Sequence, residues 1–308
     1  MTDLLIIGGG PAGLTAALYA LRAGKSARIV EKNSFGGQIA TSPKVENYPG
    51  VSAAPGAEIA DTMLSQTLAL GCEVEIGEIV SVEKIQNGFR AFTSEGERYE
   101  GRTLVLCPGV AHRKLGVPGE EALAGNGVCY CAVCDGDFYR GRDVVLVGGG
   151  NSALQEAMLL SDICRRLTIV QNLDDFTGEA PLAQAVKRRD NVRVFFGCTV
   201  TRLLETNGAL TGCEILREST GATETLQADG LFVSIGLLPQ NAPFAALAAL
   251  DDAGYFASDE RCLTHTPGVF VAGDCRAKSV RQLTTAVADG ASAALAALRY
   301  LRLAESHA

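Results

Sequence analysis

The chain has no excess of positive charge and no long apolar run, and each absence excludes a class of partner. Its 27 lysines and arginines are outnumbered by 35 aspartates and glutamates, which gives a net charge of -8. A surface of this sign would repel nucleic acids and anionic membranes. The alanine-rich C-terminal stretch is interrupted by Asp289, Arg299 and Arg302, so it does not predict a membrane-spanning helix. We therefore expect neither a nucleic acid nor a membrane as partner.

An export signal and a histidine cluster are also missing. The N-terminus has no basic segment and no small-residue cleavage site, which predicts a cytoplasmic protein. The three histidines, His112, His265 and His307, stand far in sequence from the C-x-x-C pair at Cys131. No second pair follows at zinc-finger spacing, so we expect no metal site even though Cys129 offers a third thiolate.

The chain is long and contains many cysteines. With 308 residues, 47% of them hydrophobic, the chain is long enough for two domains with separate cores. In a reducing compartment most of its ten cysteines stay as thiols, and any disulfide is catalytic. We interpret seven of them as packing residues: Cys72, Cys107, Cys164, Cys198, Cys213, Cys262 and Cys275.

The C-x-x-C pair, Cys131 and Cys134, is followed at once by Asp135. Two cysteines at this spacing can close a small disulfide, and a neighbouring charge or helix N-terminus can lower the pKa of one thiol. The alternatives are half a zinc site, two inert thiols and, for Asp135, a helix cap. We interpret the stretch as a redox pair.

The first fifty residues carry a nucleotide-binding pattern. An apolar run at residues 3–7 predicts a strand, and a helical pattern then ends near Gly24, followed by a second strand from Ala27 to Val30. Between the first strand and the helix lies G-x-G-x-x-G, in which glycines permit a tight turn and close approach to a pyrophosphate. Glu31, at the end of the second strand, is expected to accept hydrogen bonds from a ribose. The loop consists of Gly8, Gly9, Gly10, Pro11, Ala12 and Gly13.

The same plan recurs after the C-x-x-C pair. A strand at Asp143–Val147 leads into a loop of form G-x-G-x-x-A, then a helix to about Ser161 and a strand from Leu167 to Val170. Gln171 follows Gly150 at the distance at which Glu31 follows Gly10. The sequence therefore encodes two copies of one nucleotide-binding plan. The second loop consists of Gly148, Gly149, Gly150, Asn151, Ser152 and Ala153.

Two stretches rich in glycine and proline, Gly116–Gly119 and Gly236–Pro239, are predicted to be hinges. They bracket the second copy, which indicates a domain inserted into another. The predicted boundaries are 1–114 and 239–308 for the split domain and 115–238 for the inserted one. We also predict helices at Ala57–Leu70 and Gln282–Leu303, and strands at 74–76, 79–82, 89–93, 104–107, 192–195, 200–206, 210–217, 231–235 and 269–271.

Seven motifs in this order resemble the low-molecular-weight thioredoxin reductase family over essentially the full length. They are the two glycine loops, the C-x-x-C-D-G stretch, Gly36–Gln38, Val45–Gly50, Val269–Asp274 and Arg281–Ala286. The resemblance implies an α/β fold with two Rossmann-like, doubly wound domains in three layers, the second inserted into the first. It also implies a cytoplasmic homodimer.

The same resemblance implies roles for individual residues. Cys134 would face the flavin and accept its electrons, Cys131 would attack the substrate disulfide, and Asp135 would be the acid–base group because no histidine accompanies the pair. Asp274 would hold the ribitol of FAD, with the N-terminus of the last helix pointing at the ring. The full set expected at FAD is Gly8, Gly10, Pro11, Ala12, Gly13, Glu31, Lys32, Gly37, Gln38, Asn47, Gly109, Gly273, Asp274, Arg281, Gln282, Leu283 and Ala286.

The second nucleotide site departs from the family pattern. NADPH-dependent members have a His-Arg-Arg cluster and a further arginine that grip the 2'-phosphate, whereas this chain has Gln171 to Thr177 without an arginine and with Asp174 and Asp175. Like charges disfavour a phosphate there, and asparagine cannot replace a bidentate guanidinium. We therefore expect NADH or a second FAD, rather than NADPH, at Gly148, Gly150, Asn151, Ser152, Ala153 and Gln171.

Three functions remain open at this point. The first is a disulfide reductase that acts on a thioredoxin-like protein, with NADH, ferredoxin or a second flavin as electron donor. The second is a dithiol oxidase that passes electrons in the opposite direction, to oxygen. The third is a non-catalytic nucleotide-binding or metal-binding module. We favour the first, which requires the inserted domain to move on its hinges.

Overall fold

The computed structural model describes residues 1–42 and 44–306, so His307 lies outside the described residues. The chain forms two compact units: unit 1 contains Met1–Ala111 and Leu238–Ala308, and unit 2 contains His112–Leu237. Unit 2 is thus a continuous segment inserted into unit 1. The chain leaves unit 1 after Ala111, whereas the sequence predicts a boundary after residue 114.

The helices and strands follow one another in an α/β order. Unit 1 contains β1 (Thr2–Ile7), α1 (Pro11–Arg22), β2 (Ala27–Glu31), α2 (Gly56–Ala69), β3 (Glu73–Ile76), β4 (Ile79–Ile85), β5 (Gly88–Thr93) and β6 (Arg98–Leu106). The first crossing carries β7 (Val110–His112), and unit 2 continues with α3 (Glu120–Leu123), β8 (Val128–Cys129), α4 (Ala132–Asp135), β9 (Asp143–Val147), α5 (Asn151–Ile163), β10 (Arg166–Gln171), α6 (Ala180–Lys187), β11 (Val192–Phe196), β12 (Cys198–Thr206), β13 (Ala209–Arg217), β14 (Ala222–Gln227) and β15 (Gly230–Val233). The return carries β16 (Leu237–Pro239), and unit 1 ends with β17 (Val269–Val271) and α7 (Leu283–Ser306).

Unit 1 is built on a sheet of order β3-β2-β1-β6-β5-β4. Strands β1, β2 and β3 are parallel to β6, whereas β5 is antiparallel to both of its neighbours, β6 and β4. Strand β6 pairs along its second half with β17, also in parallel. The continuous apolar sequences of β1 and β2 suit this arrangement, because helices α1 and α7 cover one face of the sheet and a second buried cluster covers the other.

Unit 2 repeats the parallel arrangement. Its five-stranded sheet has the order β11-β10-β9-β15-β8, and every pair in it is parallel. Strands β12, β13 and β14 form a separate antiparallel sheet. The α/β prediction with two Rossmann-like parallel sheets is therefore confirmed.

Several details differ from the sequence prediction. Strand β6 begins at Arg98 rather than Leu104, because its first half alternates exposed and buried side chains and reads as polar. Helix α6 and strand β14 were not predicted; β14 is almost wholly exposed, so it has no apolar alternation to reveal it. No helix within residues 1–42 and 44–306 is both long and apolar enough to cross a membrane.

The first predicted hinge, Gly116–Gly119, is not where the chain changes unit. Leu115 and Val117 pack against the core of unit 2, and the amides of Leu115 and Gly116 donate hydrogen bonds of 2.9 Å to the carboxylate of Glu120. Glu120 also accepts one from the Tyr130 hydroxyl at 2.8 Å. The second predicted hinge, Gly236–Pro239, contains the crossing at Leu237.

Candidate functional site

The residues predicted to bind FAD lie at one end of the sheet of unit 1, where its parallel strands finish; this end is called the edge of the sheet below. The carboxyl ends of parallel strands meet at the same edge, and ligands bind there in open α/β sheets. The first glycine loop follows β1, Glu31 ends β2, Gly109 follows β6, and Asp274 follows β17. The parallel pairing of these four strands therefore gathers residues that are far apart in sequence.

The first and last glycines of the first glycine loop have no room for a side chain. A Cβ atom at Gly8, where φ is 105°, would overlap the carbonyl oxygen of Cys107, and one at Gly13 would overlap the carbonyl oxygen of Gly8. At Gly10 the nearest atom would be the Cα of Gly37, 3.9 Å away. Gly10 is the N-cap of α1, with Pro11 in the first turn and no side chain capping the helix. The loop thus offers free backbone N–H groups beside open space, which suits a pyrophosphate.

Glu31 closes this loop from the second strand. The Gly9 amide donates a 2.6 Å hydrogen bond to its Oε2 atom, and the Asn33 amide donates a 3.0 Å bond to its Oε1 atom. The carboxylate is buried, and Lys32 beside it is exposed. Because each carboxylate oxygen has a second lone pair, Glu31 remains able to accept ribose hydroxyls.

Three further predicted residues are fixed near this edge by their own contacts. Gly37, with φ of 57°, stands where a Cβ would lie 3.3 Å from the Cα of Gly10. The side-chain Nε2 atom of Gln38 donates a 2.5 Å hydrogen bond to the Val110 carbonyl. The side-chain Nδ2 atom of Asn47 donates a 3.2 Å hydrogen bond to the side-chain oxygen of Gln282.

Asp274 carries an unsatisfied polar atom. Its Oδ1 is buried and has no hydrogen-bond partner in the described part of the chain, although Lys278 Nζ lies 3.5 Å away. Burial raises the pKa of this carboxyl, against the opposing charges of Lys278 and Arg281. A buried acceptor without a donor is costly, and a ribitol hydroxyl would supply the donor. The residues of unit 1 therefore fit FAD.

Arg281 is locked in place at the start of α7. Its guanidinium donates hydrogen bonds to the carbonyls of Asp274 (3.1 Å) and Arg276 (3.2 Å) and stacks 4.0 Å from the centre of the Tyr255 ring. Leu283 is the first residue of α7, and Ala286 is buried one turn later. Tyr255 could not be selected from the sequence, because an isolated tyrosine in a loop belongs to no pattern.

The redox pair and the second glycine loop leave the sheet of unit 2 at one edge as well. Cys131 follows β8, Gly148 follows β9, and Gln171 ends β10. These strands belong to one parallel sheet, so their carboxyl ends point the same way. Unit 2 therefore brings together a disulfide and a nucleotide-binding loop.

The second glycine loop reproduces the geometry of the first. A Cβ at Gly148 would overlap the Ser234 carbonyl oxygen, and Gly150 is the N-cap of α5 with no side chain capping the helix. At the third position a Cβ is tolerated, since Ala153 is buried at that point. Asn151 accepts a 2.7 Å hydrogen bond from the Glu179 amide, and Ser152 is exposed. The loop is therefore built to accept a phosphate.

Polar and charged groups in and around the segment after Gln171 already bind one another. Gln171 is buried and donates a 3.3 Å hydrogen bond to the Asp175 carbonyl. The Asp175 carboxylate binds Lys187 Nζ at 2.8 Å, and that ammonium lies over the rings of Phe176 and Phe196. Arg189 in turn pairs with Asp162 at 2.7 Å. Lys187 and Arg189, cations that follow this segment in sequence, are thus already paired with carboxylates.

Cys131 and Cys134 form a disulfide, with their Cα atoms 5.3 Å apart. Cys131 caps helix α4, and its sulfur accepts a 3.2 Å hydrogen bond from the Cys134 amide. Cys131 is half-buried and Cys134 is exposed. A disulfide leaves no thiolate pair for zinc, and within the described residues no three His, Cys, Asp or Glu side chains are arranged to hold a metal.

Asp135 is the carboxyl group beside this disulfide. Its side chain caps no helix, so the capping alternative is wrong. Its Oδ1 is buried and has no hydrogen-bond partner among residues 1–42 and 44–306, and burial raises the pKa of the carboxyl from 3.8 to about 6. A carboxyl with this pKa exchanges a proton near neutrality, which suits an acid–base role.

The other eight cysteines form no disulfide within the described residues. All eight are buried, which confirms the packing role predicted for seven of them. Cys129, the eighth, lies 3.4 Å from the Tyr139 hydroxyl, and burial together with the Asp135 charge raises its pKa to about 12. A thiol with that pKa is not a nucleophile at neutral pH.

Each unit carries a nucleotide-binding loop at the carboxyl ends of its parallel strands, and in unit 2 a disulfide and a protonatable carboxyl lie at the same end. This combination defines a flavin-dependent disulfide oxidoreductase. The model of the pyridine nucleotide-disulphide oxidoreductase family matches residues 2–290, and the chain belongs to this family. The chain is 38% identical over 299 residues to the thioredoxin reductase of Listeria monocytogenes, covering 97% of this chain and 93% of that protein.

Two further comparisons agree with this assignment. The chain is 38% identical over 301 residues to the 34.2 kDa protein in the rubredoxin operon of Clostridium pasteurianum, covering 97% of each. The crystal structure of thioredoxin reductase from Streptococcus pyogenes superimposes with a TM-score of 0.93 at 35% identity, covering 98% of this chain and 99% of that one. The resemblance to thioredoxin reductases and the prediction of a flavin disulfide oxidoreductase are therefore confirmed.

Proposed function

We propose that this enzyme reduces the disulfide of a thioredoxin-like protein, with FAD at the edge of unit 1 and the Cys131–Cys134 disulfide as the group that carries electrons to the substrate. The observation that carries the proposal is the pairing of that disulfide with Asp135, whose pKa lies near neutrality. Relatives that match over nearly the whole chain are thioredoxin reductases, which supports the same substrate class.

The bound flavin would supply reversible two-electron chemistry, and the chain would supply sites and protons. Glu31, the first glycine loop and Asp274 would hold the dinucleotide, while Arg281 and the N-terminus of α7 would favour negative charge at the ring. Reduction breaks the Cys131–Cys134 bond and yields two sulfurs that take up protons. Cys131 then attacks the substrate disulfide, and Cys134 attacks the mixed disulfide to release the product thiols.

Asp135 would both donate protons to the cysteine sulfurs and accept protons from them. Its pKa of about 6 places the carboxyl between its protonated and ionised forms in the neutral range. The protonated form donates to a sulfur when the disulfide opens, and the ionised form accepts the proton when the disulfide closes again.

We further propose that NADPH is not the electron donor. Its 2'-phosphate would meet Asp174 and Asp175 after β10, where Asp175 has already paired with Lys187. Guanidinium groups that grip a 2'-phosphate are absent from residues 171–177. NADH, a second FAD on the loop at Gly148, or ferredoxin acting directly on the flavin each meet this requirement. The homodimer stays a prediction from the family resemblance, and the cytoplasmic location stays a prediction from the sequence.

The substrate half of the proposal is tested with chemically reduced enzyme. Purified protein is reduced anaerobically with dithionite, freed of excess reductant, and mixed with an oxidised thioredoxin-like protein while new thiols are counted. We expect stoichiometric thiol formation with the wild type and none with Cys131→Ser. Flavin that is instead reduced by a dithiol and reoxidised by oxygen with release of peroxide, without reduction of the protein disulfide, would favour the dithiol oxidase.

A further inference from the structure

Helix α5 presents one face to the short helix that holds the disulfide. Glu156, Leu160 and Ile163 share this face, because residues four and seven apart lie above one another on a helix. A Cβ at Gly136 would lie 3.1 Å from Ile163 Cδ1 and 3.4 Å from Leu160 Cδ2. The residue that follows Asp135 therefore sits directly on this face, and Glu156 lies one turn further toward the N-terminus of α5.

Glu156 and Asp135 share an unusual property. Each buries one carboxyl oxygen, Oε2 and Oδ1 respectively, that has no hydrogen-bond partner within the described part of the chain. The pKa of Glu156 is raised to about 7, mainly by burial and to a smaller extent by the Asp135 charge, against the opposing effects of the Ala132 amide and the Ser234 side chain. Two interacting carboxyls titrate as a pair, so the first proton to leave makes the second harder to remove.

The other titratable groups around the pair stay neutral. The thiol of Cys129 and the phenol of Tyr139 both feel the charge of Asp135, and burial keeps the pKa of each far above neutrality. The charge of Arg142 acts on Tyr139 and opposes the rise in that residue's pKa. Asp135 and Glu156 are therefore the groups of this cluster that change charge in the neutral range.

We propose that Glu156 is a positioning residue that shares a proton with Asp135, so that the two carboxyls together hold one proton ready for the redox cysteines. When two electrons break the Cys131–Cys134 bond, Asp135 passes the shared proton to one sulfur, solvent supplies a proton to the other sulfur, and the carboxyl pair then takes up a new proton from solvent. When the dithiol reduces a substrate disulfide, the cysteine bond re-forms and the dithiol protons leave with the two product thiols. The role in turnover rests on the proposed function, but the shared proton does not.

The shared proton is testable without electron donor or protein substrate. The enzyme is reduced with dithiothreitol, desalted anaerobically, and treated with iodoacetamide over a range of pH, while mass spectrometry measures the alkylation rates of Cys131 and Cys134. In the wild type we expect an inflection between pH 6 and 7 in addition to that of the thiols. In Glu156→Gln, the loss of the neighbouring charge should move that inflection about one pH unit lower.

Two variants serve as controls. Asp162→Asn removes one negative charge from an exposed position of the same helix and should leave the profile unchanged. Glu156→Asp keeps a carboxyl and should restore the wild-type inflection at least in part, which also covers a folding defect in Glu156→Gln. Superimposable profiles for wild type, Glu156→Gln and Asp162→Asn would overturn the proposal. If instead the profile shifts as expected but no thioredoxin-like disulfide is reduced, the proposed function fails and the proton pair stands.

Discussion

The Nε and Nη2 atoms of Arg276 donate hydrogen bonds of 3.0 and 2.8 Å to the two carboxylate oxygens of Asp289, and both side chains are buried. Asp289 also accepts a 3.0 Å hydrogen bond from the Gly273 amide and one of 3.0 Å from Lys278 Nζ. This network ties the turn that carries Asp274 to helix α7. It fixes the edge at which the FAD ribitol is expected.

Asp289→Asn should destabilise unit 1 strongly. The variant leaves the Arg276 guanidinium buried without its counterion, and breaking a buried pair from one side costs about 3–5 kcal/mol of unfolding free energy. Although burial opposes them, Arg276 and Lys278 lower the pKa of Asp289, so the stabilisation is present above the ordinary aspartate pKa and is lost as pH falls through the lowered value. Urea unfolding at neutral pH measures the loss.

The control for that experiment is Asp259→Asn, which breaks an exposed pair with Arg261 in the same unit. We expect a much smaller loss there, because exposed pairs are screened by solvent. Equal losses in the two variants would contradict the structural role given to Asp289.

Asp135→Asn should weaken disulfide exchange and yet stabilise the fold at neutral pH. The raised pKa means that the folded chain holds the proton more tightly than the unfolded chain, so stability falls as pH rises from about 4 to about 6. Above that window the wild type carries the full cost of an ionised, half-buried carboxylate, about 1–2 kcal/mol after allowance for its exposure. Asparagine removes this cost.

Urea unfolding at pH 4 and at pH 7.5 tests this expectation. The variant and the wild type should have similar stability at the lower pH, and the variant should be the more stable at the higher pH. A variant that is less stable than the wild type at both values would show that the fold stabilises the ionised carboxylate of Asp135, which contradicts a raised pKa.

Arginines placed after β10 should create affinity for NADPH. In the double variant Asn172→Arg/Leu173→Arg, guanidinium groups would stand where the 2'-phosphate is expected, and hydrogen bonds to charged groups contribute about 1.5–3 kcal/mol each. We expect NADPH to bind at least about tenfold more tightly than to the wild type, with NADH little changed. Isothermal titration calorimetry measures both affinities.

A charge-matched control separates local contact from net charge. Thr223→Arg/Thr225→Arg adds the same two charges to the exposed strand β14 of unit 2. If that control gains as much NADPH affinity as the double variant after β10, the segment from Gln171 to Thr177 does not contact the 2'-phosphate.

The glycine loops were predictable because their geometry depends on residue type. Gly8 and Gly148 adopt positive φ angles beside a carbonyl oxygen, so the chain can place only glycine there, and the pattern is visible in the sequence. The buried strands β1, β2, β9 and β10 were equally visible as continuous apolar runs.

The charged networks were not predictable, because their members meet only in the folded chain. Glu156 follows Gln155 in α5 and reads in sequence as a solvated helix charge, yet it lies on the face that contacts the disulfide helix. Arg276 and Asp289 likewise resemble ordinary surface charges, and only the packing of α7 against β17 and α1 buries them. Tertiary context thus decides which charges belong to the site.

The most direct test of the account is an anaerobic titration of the purified enzyme, with the ratio of flavin to chain determined beforehand and the flavin absorbance followed during separate additions of NADPH, NADH and dithiol. We expect dithiol to reduce the flavin through Cys131 and Cys134 while NADPH leaves it oxidised; a ratio near two would place a second FAD on the loop at Gly148. Rapid, stoichiometric bleaching of one flavin per chain by NADPH would contradict this expectation and make this enzyme an NADPH-dependent reductase.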